Sequence, residues 1–355
     1  MAPNPRILIT RLSHIGDCIL TLPLLNAIRK QYPSAFVGWA VESPAHKLLD
    51  LHSGIDEIIP VPKGWLTKPS CWGDLRRRLK QHRFEIAIDP QGITKSAALG
   101  WLSGAKKRIG IRGRWGKEFS PWLNNRLVET TASHLVDRSL ELITALDSNG
   151  LATKIASAKP AAEFGLAICE QSNISLDLSL DRSELGTYFA LINPGGSWAS
   201  KRWEVDRFGA VASYLKRQRG MKSLIVWAGD QEEKLARAIH DFDPDASVVA
   251  PKTDLRELAV LCDRAAFFIG SDTGPMHLAT AMGTPCIGLY GPTRPEESGA
   301  YGPQNIAIQK WYQSGSCRKR RNAENHAMRD ILAADVFAAC DQMISQLGLK
   351  SVAAA

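Results

Sequence analysis

No two cysteines in this chain stand in a CxxC spacing. The seven, at positions 18, 71, 169, 262, 286, 317 and 340, are scattered, which argues against a disulfide framework or a zinc site and fits a reducing compartment. No apolar run reaches membrane-spanning length, and the N-terminus lacks a signal-peptide pattern, because Arg6 is followed at once by a short strand-like run. A cytoplasmic location is therefore expected. The turn after that first strand reads Leu-Ser-His-Ile-Gly-Asp instead of GxGxxG, which disfavours a nicotinamide dehydrogenase. There is no basic and aromatic interleaving or recognisable nucleic-acid module, and no DxD-type cluster at the glycine loop described below. Nucleic acid and metal are not expected partners.

What is present is a globular composition, 45% hydrophobic and 23% charged over 355 residues, a length that suits two domains. The net charge of +8 points to anionic partners such as nucleotides, acidic glycans or a membrane surface. Basic residues recur at Arg76 to Lys80, Lys106 to Arg108, Arg112 to Lys117 and Arg318 to Arg321; taken singly, each reads as a solvated face. A strand-like run at 6–11 leads to an amphipathic helix from about Asp17 to Tyr32, and apolar runs near 35–41, 55–61 and 84–89 alternate with helical patterns. Residues 150–187 lose that rhythm and look like a linker. A second alternation starts at strand 188–193 and ends in a helix near 333–346. Alternating strands and helices predict an α/β fold with parallel sheets, here two Rossmann-like domains facing across a cleft. The expected division is 1–175, 186–330, and a C-terminal helical segment 331–355 packing back towards the first domain.

The most informative stretch is Phe268-Ile269-Gly270-Ser271-Asp272-Thr273-Gly274-Pro275-Met276-His277. An apolar strand breaks into a polar turn, and a helix is expected to start at Pro275, where a missing N–H costs nothing. The free N–H groups and positive dipole end of that helix make an anion pocket, with Asp272, Thr273 and His277 at its mouth.

Four segments taken together, ILITRLSHIGDCILTLPLL (7–25), IDPQGITKSA (88–97), PGGSWASKRW (194–203) and GSDTGPMHLATAMGTPCIGLYGPT (270–293), resemble the motifs of glycosyltransferase family 9, the ADP-heptose:lipopolysaccharide heptosyltransferases. The resemblance runs over nearly the whole chain in matching order. It implies a GT-B fold and inverting transfer of a heptose from ADP-heptose to the lipopolysaccharide inner core or another acidic glycolipid. It further implies no cofactor or metal and peripheral contact with the cytoplasmic face of the inner membrane, since the acceptor is lipid-anchored.

The same resemblance assigns roles. Asp17 would be the general base for the acceptor hydroxyl, although an Asp at a helix start is also a preferred cap. Lys201 would stabilise the leaving diphosphate, with Arg202 beside it. Gly195, Gly196 and Ser197 form the loop that lets backbone approach the donor. Asp272, Thr273, Gly274 and His277 would contact its diphosphate and sugar. Glu232 would accept from the ribose hydroxyls, and reads equally as a first-turn glutamate. On the acceptor side stand Gln91, Gly92 and Lys95, with Lys63, Lys68 and Arg76 to Arg78 in a more variable region. An epimerase of the same architecture, or a non-catalytic nucleotide-sugar or glycan-binding protein, is the alternative reading.

Overall fold

The computed structural model describes residues 4–146, 162–180, 185–186 and 188–349. The chain divides after Ala167 into two units, eight residues earlier than the expected end of the first domain at 175. Part of the segment read as a linker is ordered in the second unit. Its helix Glu170–Ser179 packs on helix Leu255–Arg264, where Arg264 pairs with Asp177 at 2.8 Å and Ser175 donates to Glu257 at 2.8 Å.

The first unit contains β1 (Arg6–Thr10), β2 (Phe36–Glu42), β3 (Glu57–Val61), β4 (Ile86–Ile88), β5 (Lys107–Arg112) and β6 (Arg126–Glu129). The second contains β7 (Phe189–Asn193), β8 (Lys222–Ile225), β9 (Ser247–Val249), β10 (Phe267–Ser271), β11 (Cys286–Leu289) and β12 (Ile306–Ile308). Each unit forms one six-stranded sheet, in order β3-β2-β1-β4-β5-β6 and β12-β11-β10-β7-β8-β9. Every pairing is parallel. The two orders describe one topology, the doubly wound arrangement that reverses direction between its two central strands.

Parallel strands covered on both faces must be apolar along their length, and β1, β7 and β10 are so: Ile7 to Ile9, Ala190 to Ile192 and Phe267 to Ile269 are fully buried. β5 escapes that pattern because its ends are charged, Lys107-Arg108-Ile109-Gly110-Ile111-Arg112. The sequence shows two basic clusters there, and the structure shows a strand with only its middle buried.

The expected helix from Asp17 to Tyr32 is two helices, Ile15–Ile19 and Leu22–Gln31. Pro23, in the first turn of the second, cannot donate to a preceding carbonyl, so the break falls before it. The last helix, Ala333–Gln346, packs within the second unit. Its buried residues Val336, Ala339, Cys340, Met343 and Ile344 belong to the core of the second unit, with Phe208, Val211 and Leu215 of helix Val205–Arg219. Asp341 fastens its outer side to that helix through Arg219 at 2.8 Å and Tyr214 at 2.7 Å.

This packing makes the last helix part of the second fold. Met343→Ala is expected to destabilise that unit by about 2–5 kcal/mol, the range for emptying a buried methionine site. The check is a denaturant midpoint followed at the second unit, and a midpoint unchanged from wild type would mean that the helix is dispensable to the core.

Candidate active site

In each sheet the direction reverses between two adjacent strands, β1 and β4 in the first and β7 and β10 in the second. The four segments singled out by sequence are the loops leaving the carboxyl ends of these four strands. That edge at the switch point is where open α/β sheets bind ligands.

In the first unit, Asp17 is the third residue of helix Ile15–Ile19 and so is not its N-cap. Its Oδ2 receives Arg11 Nη2 at 2.7 Å and the His14 backbone N–H at 3.4 Å. Oδ1 engages no partner among the described residues, and the side chain is 32% exposed. Arg11 itself is buried. Its Nη1 donates to the Pro90 carbonyl at 3.1 Å, and its own carbonyl accepts from Trp39 Nε1 at 3.1 Å. A buried guanidinium therefore holds one oxygen of Asp17 and turns the other outward. Arg11 has no role in the sequence reading, yet an arginine closing a buried strand, with an aspartate six residues on, carries the clue.

The loop after β4 is organised by Asp89, which is buried. Its Oδ1 accepts from the N–H groups of Gln91 and Gly92 at 3.2 and 2.9 Å, and its Oδ2 from Ser120 Oγ and Asn124 Nδ2 at 3.0 and 3.3 Å. Burial pushes this carboxyl up, and hydrogen bonds only partly offset it. Gln91 Oε1 accepts from the Leu12 N–H at 2.8 Å, so Gln91 ties the two loops of this unit together. Lys95 is paired with Glu42, which offsets the charge expected to face an acidic acceptor. Lys63, Lys68 and Arg76 are exposed. Arg77 is paired with Asp74 at 2.7 Å, and Arg78 lies 4.0 Å from the same carboxylate.

In the second unit the glycine loop follows β7 and runs into a single helical turn, Ala199–Lys201. Gly195 leaves room for Glu232: a Cβ there would lie 2.3 Å from Glu232 Oε1, and that carboxylate would have to move. Gly196 is buried and its carbonyl accepts from Arg202 Nε at 3.1 Å, while Ser197 is exposed. Glu232 stands in the first turn of helix Gly229–Phe242 and accepts from the Ala228 N–H at 3.0 Å. Burial pushes its carboxyl up against the opposing pull of that N–H and of Arg202. The glycine loop and Glu232 are thus one packed unit, a relation the sequence does not display.

Lys201 Nζ donates to the Asp272 carbonyl at 2.7 Å and to Asp272 Oδ2 at 3.0 Å. Asp272 Oδ1 accepts from His277 Nε2 at 3.0 Å. Asp272 and His277 are buried behind the turn instead of standing at its mouth, and both carboxylate oxygens are occupied. Burial would raise the Asp272 carboxyl, but Lys201 and His277 overcome it and hold it far below the usual 3.8. The network therefore contributes stability at and above the ordinary carboxylate range, and loses it only as pH falls below that range. An ammonium has three donors, so one of Lys201 is left over. His277 Nδ1 is buried without a partner among the described residues. With Nε2 donating to Asp272, Nδ1 becomes a donor to phosphate only when the ring is protonated.

Helix Gly274–Ala281 starts one residue earlier than expected, with Thr273 as its extended N-cap and Pro275 in its first turn. The Thr273 hydroxyl donates to the Ser271 carbonyl at 3.2 Å and does not cap the helix, so the first helical N–H groups stay open. Trp198 lies under Lys201 Nζ at 4.8 Å, with Arg320 and Arg321 at 5.9 and 5.8 Å from its ring. Part of the 318–321 basic cluster thus faces the glycine loop. Among the described residues, no group of three or more His, Cys, Asp or Glu is placed to hold a metal.

The model of "Glycosyltransferase family 9 (heptosyltransferase)" matches residues 72–328. The chain is 27% identical over 311 residues to lipopolysaccharide heptosyltransferase 1 of Escherichia coli (strain K12), covering 85% of this chain and 92% of that one. Its fold is similar to a family 9 glycosyltransferase from Veillonella parvula, with a TM-score of 0.79, 24% identity, and coverage of 98% and 99% of the two chains. It is also similar to E. coli heptosyltransferase WaaC with ADP, with a TM-score of 0.73, 23% identity, and coverage of 96% and 99%.

The contact between Gly195 and Glu232 yields a test. Gly195→Ala is expected to weaken ADP binding by roughly tenfold or more, equivalent to about 1.4 kcal/mol, with folding intact by circular dichroism. Calorimetric titration with ADP is the measurement, and wild-type affinity would separate Glu232 and its loop from the nucleotide.

Proposed function

The chain belongs to glycosyltransferase family 9, the heptosyltransferase family, and on that premise we propose that it transfers a heptose from ADP-heptose to the lipopolysaccharide inner core. The observation that carries the proposal is the one-sided hold on Asp17: Arg11 and the His14 N–H occupy Oδ2, and Oδ1 is left open. A general base needs a fixed carboxylate with one lone-pair face free towards the substrate proton. Arg11 keeps the group oriented, and Oδ1 takes the proton of the acceptor hydroxyl as that oxygen attacks the anomeric carbon. The bond from that carbon to the ADP oxygen breaks on the opposite face, so configuration inverts.

Leaving ADP concentrates charge on the diphosphate. The uncommitted donor of Lys201 and the open N–H groups at the start of helix Gly274–Ala281 are suited to it. Asp272 then acts as the holder of Lys201 and His277, a different part from the sugar contact expected of it. Glu232, beside the glycine loop, accepts from the ribose hydroxyls. The acceptor is lipid-borne, which puts the reaction at the cytoplasmic face of the inner membrane.

Mass spectrometry of the products tests the reaction. Incubation with ADP-heptose and inner-core acceptor is expected to add one heptose mass to the acceptor, and conversion of the donor alone to an isomeric sugar would indicate an epimerase instead. Asp17→Asn should retain ADP affinity while lowering kcat by roughly a hundredfold or more, the scale of losing a general base; near-normal turnover would reduce Asp17 to a helix-start residue. Lys201→Ala is expected to lower kcat more than it raises the donor KM, because diphosphate charge grows towards the transition state. A change confined to KM would remove Lys201 from leaving-group stabilisation.

A further inference from the structure

Between β5 and β6 the chain runs from Arg112 to Arg126 with two opposite faces. The inner one is fastened: Ser120 and Asn124 are buried and donate to Asp89 at 3.0 and 3.3 Å, and the Lys117 N–H donates to the Gly92 carbonyl at 2.7 Å. The Phe119 N–H donates to Thr94 Oγ1 at 3.0 Å. The outer face carries Phe119, 66% exposed, and Trp122, 85% exposed. These rings are not on a slack tip. A backbone bonded on its inner side holds them out in water, where an aromatic side chain has nothing to gain.

The charges around them select the partner. Between Arg112 and Trp122, Arg112, Arg114 and Lys117 stand against Glu118 alone, and Arg112 and Lys117 are exposed. Exposed indole and phenyl rings within a few residues of exposed cations match the boundary of an anionic bilayer, where aromatics settle at headgroup depth and basic residues meet lipid phosphate. The first part of the segment, Arg112–Phe119, leaves the carboxyl edge of β5 and is bonded to the Gly92 loop and to Thr94, so it lies on the edge of the sheet that bears the expected acceptor residues; after Trp122 the chain returns to the amino end of β6. We infer that Arg112–Trp122 is the surface by which this protein docks onto an anionic lipid bilayer. The inference deepens, and rests on, the reading of a lipid-borne acceptor.

The test uses the full chain and no sugar substrate. Wild type is expected to co-sediment with phosphatidylcholine vesicles containing phosphatidylglycerol, and far less with phosphatidylcholine alone. Phe119→Ser with Trp122→Ser should lower that partition by roughly tenfold or more, since binding scales with buried apolar area. Arg112→Gln with Lys117→Gln should lower it at low salt and make little difference at high salt. Thermal unfolding of both variants should match wild type, because none of these side chains is buried. Both should also transfer heptose normally to a delipidated core oligosaccharide. Wild type ignoring the anionic vesicles, or the aromatic variant binding them as wild type does, overturns the inference. So does a wild-type dimer that the aromatic substitutions dissociate, which would make the patch a contact between copies. Failure of wild type to act on the delipidated acceptor would instead count against the transfer reading and leave the vesicle result standing.

Discussion

The site edge of the second unit depends on one buried ion pair, Lys201 with Asp272. It joins the loop leaving β7 to the turn leaving β10, the two strands between which the second sheet reverses direction. Breaking such a pair by removing one partner costs about 3–5 kcal/mol, because the remaining charge is left buried and uncompensated. The contact therefore fixes where the glycine loop sits, and the Ser271 hydroxyl reinforces it by donating to the Lys201 carbonyl at 2.6 Å. It also fixes His277, whose Nε2 completes the coordination of Asp272. Fully used within the fold, Asp272 shapes the site by what it holds in place.

The first unit solves the same problem with different chemistry. Asp89 also lies buried at the end of a central strand and also gathers two loops. Its partners are neutral backbone, hydroxyl and amide groups, so burial dominates and its carboxyl is pushed up. Asp272 has two nitrogen partners that carry or can carry charge, and is held low. Cation pairing is placed elsewhere in the first unit, on Asp17, where Arg11 takes one oxygen only. Asp17 is thus restrained from one side with one oxygen open, whereas Asp89 and Asp272 are surrounded by partners.

The places where sequence and structure part have a common cause. β5 and β6 lie towards the edge of their sheet, where half-exposed strands tolerate charge, so Lys107 to Arg112 resembles a basic cluster more than a strand. Lys95, on helix Thr94–Leu102, looks free in the sequence because Glu42, its partner, lies at the end of β2. Asp272 and His277 look like lining residues because a polar turn before a helix is usually exposed; the cation that permits their burial lies in another loop. The last helix carries an apolar stripe that any exposed core could accept, and the second unit's sheet accepts it.

Local chemistry alone determined the alternation of buried strands and helices, the two-unit organisation, the glycine loop, the helix start at 274–277 and the four motifs that mark the family. These are written in hydrophobic period, backbone freedom and side-chain type, which neighbouring residues carry between them. Only the tertiary structure decided which oxygen of Asp17 is open, that Arg11 holds the other, that Glu232 closes over Gly195, and that Lys201 spends two of its donors on Asp272. Each of those depends on groups from different strands meeting within about 3 Å, the range of a hydrogen bond. That distance is set by sheet order and register, and no local segment of the chain encodes it.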